Sequence, residues 1–168
     1  MNLPRDPALL GLDTASTQGG GADASRLGMQ LGGRNWLLEL ADVNEVMPVP
    51  ELLEVPFTQR WFAGVASIRG NLIGVVDLNA FLGGAPAERG ERERLVLVAD
   101  VHRVNCALLF DRMIGLRASE GFQREPDASP GPAWIEGHYR DSDAQRWTAL
   151  DMRGLVTHPD FLRIERPA

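Results

Sequence analysis

The stretch from Phe62 to Leu82, FAGVASIRGNLIGVVDLNAFL, constrains the fold more than any other part of the chain. Two apolar runs, Val65 to Ile68 and Leu72 to Val76, flank Arg69-Gly70-Asn71. Their β-branched and aliphatic residues fit a pleated, half-buried surface, and Gly70-Asn71 is a pair that tolerates positive φ. The expected element is therefore a β-hairpin with an arginine at its tip. Asp77-Leu78 and the later Gly83-Gly84 predict a short helix, capped by Asp77 and ended by glycine. A lone arginine on such a turn points to recognition rather than catalysis.

The same grammar recurs on both sides. Leu27 to Leu31, the turn Gly32-Gly33 and Trp36 to Leu40 predict an earlier hairpin. A helical turn is expected over Ala41 to Glu45, and two prolines make Val46 to Pro50 extended. Arg94 to Ala99 and Arg103 to Phe110 predict a further strand pair, continuing into Arg112 to Leu116. Glu120 to Pro132 is polar and rich in Pro and Gly, hence a long loop. The last unit, Trp134 to Tyr139 and Trp147 to Val156, echoes the hairpin unit. Val75-Val76-Asp77-Leu78 with Phe81-Leu82 and Ala149-Leu150-Asp151-Met152 with Leu155-Val156 share one pattern. A strand that runs twice into a capped helical turn suggests two related small barrels. Residues 13–25 are mostly Gly, Ser, Thr, Ala and Asp, so residues 1–25 are expected to be a flexible leader and 26–166 a single domain of two β-subdomains.

Composition removes whole classes of chemistry. All 17 basic residues are arginine, which excludes a Walker-type lysine and a Schiff-base lysine. One cysteine, Cys106, allows no internal disulfide and no cysteine-based zinc or iron-sulfur site; it reads as a buried small hydrophobe. His102, His138 and His158 lie in different units without metalloprotease spacing, and no nucleophile elbow is present. Asp77 and Asp151 read as helix caps rather than an acid/base pair. No cofactor, metal or catalytic residue is therefore expected. A net charge of -6 opposes nucleic acid and anionic membrane. The start lacks a secretory signal and no run reaches the ~20 apolar residues of a membrane helix, so a cytoplasmic location without membrane insertion is expected.

Leu27 to Leu82, and above all Gly64 to Leu72 with Val75-Val76-Asp77-Leu78, resembles the CheW-like coupling domain of bacterial chemosensory arrays. Trp61-Phe62-Ala63-Gly64 before the hairpin and Asn79-Ala80-Phe81-Leu82-Gly83 after it resemble the variant found in type IV pilus (twitching motility) systems. The resemblance implies a mainly β fold of two intertwined five-stranded SH3-like barrels with short helices, and no catalysis. It implies an adaptor that links the cytoplasmic tip of a methyl-accepting chemoreceptor to the regulatory domain of a CheA-type histidine kinase. It also implies that a glutamate, here Glu45, pairs with the arginine of the Leu-Arg-Gly motif, here Arg69, beside the receptor groove. Ser67-Ile68-Arg69-Gly70 replaces the usual Asn-Leu-Arg-Gly, and Gly74 replaces a proline.

Two readings of Arg69 stand at this point, a solvated turn arginine and a guanidinium fixed by Glu45 for recognition. The candidate partner-binding residues are Glu45, Arg69, Trp61, Ser67 and Asn71; Trp61 enters because aromatic residues are enriched at binding hot spots. A second class remains open, a small β-barrel binding single-stranded nucleic acid, although dispersed arginines and acidic charge argue against it.

Overall fold

The structure is a computed structural model that describes residues 26–87, 89–127, 129 and 131–168. The leader expected at residues 1–25 lies outside the described residues. Among the described residues, eleven strands form two sheets. The first holds β1 (Arg26–Leu31), β2 (Arg34–Glu39), β8 (Arg112–Arg117), β9 (Gln123–Arg124), β10 (Ile135–Arg140) and β11 (Arg146–Leu150), in the order β8-β1-β2-β11-β10-β9. The second holds β3 (Val43–Pro48), β4 (Phe62–Ile68), β5 (Asn71–Asp77), β6 (Arg94–Val98) and β7 (Cys106–Phe110), in the order β3-β6-β7-β5-β4. The first sheet thus has five full strands plus the two-residue β9, which pairs with β10 inside the stretch read from sequence as loop.

The chain enters the first sheet, leaves for the whole of the second, and returns through Asp111 alone, between β7 and β8. β8 then pairs antiparallel with β1. The two barrels are intertwined for that reason, because neither half of the chain completes the first sheet alone.

Alternation along the strands assigns their faces. Ala66, Ile68, Ile73, Val75, Leu95, Leu97, Ala107 and Leu109 fill the second barrel, while Leu37, Trp147 and Ala149 centre the first. The opposite faces meet in a shared core that includes Leu27, Met29, Val76, Val96, Leu108 and Phe110. Burying each such side chain contributes roughly 1.5–3 kcal/mol, so the contact between the sheets is a main source of stability.

The described residues also form three short α-helices: α1 (Leu78–Phe81), α2 (Met152–Val156) and α3 (Pro159–Leu162). Asp77 caps α1 by accepting from the Ala80 N–H at 3.1 Å, and Asp151 caps α2 by accepting from Gly154 at 2.8 Å. The helical turn expected over Ala41 to Glu45 is a 3-10 turn, Leu40–Asp42, and the chain is already extended at Val43. Pairing of β3 with β6 captures Val43 and Glu45, with Asn44 at the register shift between them, and overrides the local turn preference.

Candidate functional site

The β4–β5 hairpin closes on two residues. Ile68 faces Asn71 in register, and Arg69 and Gly70 form the turn with φ of 50° and 79°. Two successive positive φ values are the type I′ arrangement, whose twist matches that of the flanking strands. The positive-φ pair is therefore Arg69-Gly70 and not Gly70-Asn71; Asn71 is the first residue of β5. Glycine accepts this conformation freely, whereas an arginine there costs about 1–2 kcal/mol.

From this turn the Arg69 Nη2 reaches both carboxylate oxygens of Glu45, Oε2 at 2.5 Å and Oε1 at 2.7 Å. Glu45 lies on β3, at one edge of the second sheet, and Arg69 joins β4 at the other edge to β5. The ion pair thus lies across the seam where the curled sheet meets itself. The Arg69 side chain remains 68% exposed while that of Glu45 is 15% exposed. An ion pair that open to water contributes ~0–1 kcal/mol, which does not exceed the cost of the turn conformation. Folding stability alone gives no reason for an arginine at this position.

Around the pair, Ser67 and Asn71 are both exposed. On the hairpin face that carries Ser67, Leu72 is 66% exposed, and Leu53 beside it is 70% exposed. Pro50, Leu52, Leu53, Val65 and Leu72, with the polar Glu51 and Ser67, line an open groove of about 460 Å³. Leu53 exchanges two backbone hydrogen bonds with Val65, at 2.8 and 2.9 Å, which lays the segment after β3 along the free edge of β4. Gly64, at φ +134°, permits this approach, since a Cβ there would stand 2.4 Å from the Leu53 carbonyl oxygen. Leu53 and Leu72 were not singled out from sequence. The available signal is phase: Leu72 alternates away from Ile73 and Val75 and shares with buried Val76 the opposite face of β5.

Trp61 stands apart from this arrangement. It is half-buried, edge-on to Phe81 with centroids 5.2 Å apart and stacked on Phe161 at 6.0 Å. Its aromatic surface is engaged within the protein, and its carbonyl accepts from the Asp77 N–H at 2.7 Å.

The other chemically capable groups are occupied structurally. His102 Nε2 lies 2.7 Å from Asp42 Oδ1, His138 Nδ1 lies 3.2 Å from the Thr148 hydroxyl, and His158 Nδ1 accepts from the Asp160 N–H at 3.2 Å. Burial pushes the Cys106 thiol up to about 12, which keeps it protonated and a poor nucleophile. Among the described residues, no group of three or more His, Cys, Asp or Glu side chains is placed to hold a metal ion. No helix among them is long and apolar enough to cross a membrane.

Comparison with known proteins bears on the whole domain. Residues 26–160 match the CheW-like domain. The chain is 28% identical over 144 residues to Protein PilI of Pseudomonas aeruginosa, covering 83% of this chain and 79% of PilI. It is 29% identical over 72 residues to Chemotaxis protein CheV3 of Helicobacter pylori, covering 43% of this chain and 23% of CheV3. The crystal structure of the scaffolding protein TtCheW from Thermoanaerobacter tengcongensis superposes with a TM-score of 0.69 at 18% identity, over 83% of this chain and 96% of that one. At that identity the structural likeness speaks for the fold.

Proposed function

Because the chain belongs to the CheW-like domain family, a family of scaffolds in chemotaxis-type signalling, we propose that it is a non-enzymatic adaptor coupling a methyl-accepting chemoreceptor to a CheA-type histidine kinase. The likeness to PilI supports service in a twitching-motility (type IV pilus) pathway. The adaptor works from the cytoplasm and is recruited to membrane-associated receptor arrays by its partners. The observation that carries the reading is the Arg69–Glu45 pair, a largely exposed guanidinium on a strained turn, held over the barrel seam beside a groove of mixed apolar and polar lining. One nitrogen of Arg69 serves both Glu45 oxygens, which leaves the rest of the fork for acceptors on a partner. Exposed Leu53 and Leu72 supply adjacent apolar contact area. Glu45, Arg69, Ser67 and Asn71 form the partner-binding set on this reading. Trp61 contributes indirectly, by fixing the base of the hairpin through Asp77.

The test is reconstitution of the protein with a CheA-type kinase and a methyl-accepting chemoreceptor from the same organism, read as co-assembly and kinase activity. Wild type is expected to form the ternary assembly and change kinase activity. A folded Arg69→Ala protein is expected to lose at least tenfold in coupling, equivalent to about 1.4 kcal/mol. Undiminished coupling by that variant would remove Arg69 from the site, and absence of any complex with wild type would defeat the adaptor reading.

A further inference from the structure

Glu93 sits immediately before β6 and is only 4% exposed. It belongs to none of the partner-binding residues above. Its Oε1 is buried and accepts no hydrogen bond among the described residues. A charged carboxylate in that position meets a desolvation cost that Oε1 recovers through no hydrogen bond among the described residues.

Two further carboxylates face it, and each is already committed as an acceptor. Asp77, at the end of β5, is 6% exposed; its Oδ1 takes the Ala80 N–H and its Oδ2 takes the Ala87 N–H at 2.8 Å. Asp111, the single residue between β7 and β8, accepts from the Gly32 N–H through Oδ2 at 2.8 Å. Gly32 lies in the β1–β2 turn, so the Asp111 hydrogen bond ties the first sheet to the point where the chain leaves the second. Glu93 is the member of the trio with a buried oxygen, Oε1, that meets no N–H among the described residues, and that oxygen is where a proton is held. Burial pushes the Glu93 carboxyl up; the Arg89 guanidinium opposes this, Asp77 raises it again, the Gly90 N–H lowers it, and Asp111 raises it.

We infer that Glu93 is a proton-operated catch at the junction of the two sheets. With its carboxyl neutral, Asp77 and Asp111 hold Ala87 and Gly32 without opposition. When the proton leaves, a negative charge appears at buried Glu93 beside the two acceptors, and both tethers loosen. The sign follows from the direction of the shift. Below the ordinary glutamate range folded and unfolded chains are both protonated there and no difference arises. As pH rises from that range through the folded-state value, the folded protein must give up a proton it holds more tightly than the unfolded chain, and stability falls.

The experiment uses the full chain and nuclear magnetic resonance. The Glu93 side-chain carboxyl is followed through a pH titration, and hydrogen exchange at the Gly32 and Ala87 amides is measured over the same range with correction for intrinsic rates. Glu93 is expected to titrate above the ordinary glutamate range, with protection at both amides falling about tenfold or more through that transition. Glu93→Gln, which keeps the shape and removes the charge, is expected to hold protection constant. An ordinary glutamate titration overturns the inference, as does the same pH dependence of protection in Glu93→Gln. Should that variant not fold, coincidence of the wild-type carboxyl and amide midpoints decides: matching midpoints support the catch and separate ones overturn it.

Discussion

Arg69 adopts a backbone conformation that costs an arginine about 1–2 kcal/mol, and its exposed ion pair with Glu45 returns no more than ~1 kcal/mol. Replacing it with glycine therefore separates two properties that an alanine variant confuses. Arg69→Gly relieves the positive-φ penalty while giving up the ion pair, so denaturant unfolding should show stability equal to wild type or up to about 1 kcal/mol higher. Coupling to the kinase should fall as far as in Arg69→Ala. A Gly variant that coupled normally would assign the arginine to the surface alone. The arginine was legible at the hairpin tip because the two flanking apolar runs frame it. Its partner was not legible from pattern, since Glu45 lies 24 residues away and across the sheet seam; it came through the family resemblance. Glu93 was illegible in a different way. Within Glu91-Arg92-Glu93-Arg94 it reads as one more solvated charge, and only the fold turns it inward.

At the scale of elements, the molecule repeats one device. Trp61 precedes β4 and its carbonyl accepts from the Asp77 N–H at 2.7 Å; Trp134 precedes β10 and accepts from the Asp151 N–H at 2.9 Å. Both hairpins shift register near their start, between Phe62 and Gly64 and between Ile135 and Gly137, and both end in an aspartate-capped helix. The aspartate end of this repeat is plain in the sequence. Its tryptophan end, Trp-apolar-x-Gly in both units, is equally present but escapes notice because Glu136 and Ala63 differ and the intervening loops have unequal lengths. The two caps nonetheless differ in what they hold. Asp151 caps α2 alone, whereas Asp77 also binds Ala87. Asp151→Ala should cost about 1 kcal/mol in urea unfolding. Asp77→Ala should cost about 2–3 kcal/mol, because two half-buried N–H groups lose their acceptor. Equal costs would mean that the Ala87 contact carries no energy.

For the whole molecule the question is whether two barrels unfold as one body. Each has its own interior, but the sheets share a core in which Phe110, Leu108 and Val96 of the second sheet pack with Leu27, Met29 and Leu38 of the first, all of them 1% exposed or less. The topology points the same way, since β1 and β2 need β8 and β11 to complete their sheet and the whole second sheet lies between them in the chain. This wider arrangement could be read only in outline from sequence. Strand content and the repeat were visible, but the parallel pairing of β2 with β11 joins segments more than a hundred residues apart and no local pattern encodes it. Phe110, fully buried beside the Asp111 crossover, offers the decisive variant. Phe110→Ala should cost about 3–5 kcal/mol, a large share of the 5–15 kcal/mol usual for a domain. If the shared core makes one cooperative unit, the loss will lower the midpoint for both sheets together, with amides of β2 and β6 losing hydrogen-exchange protection in step. Selective loss at β6, with β2 still protected, would show that the barrels are energetically separate, and the adaptor would then be two units that merely share a chain.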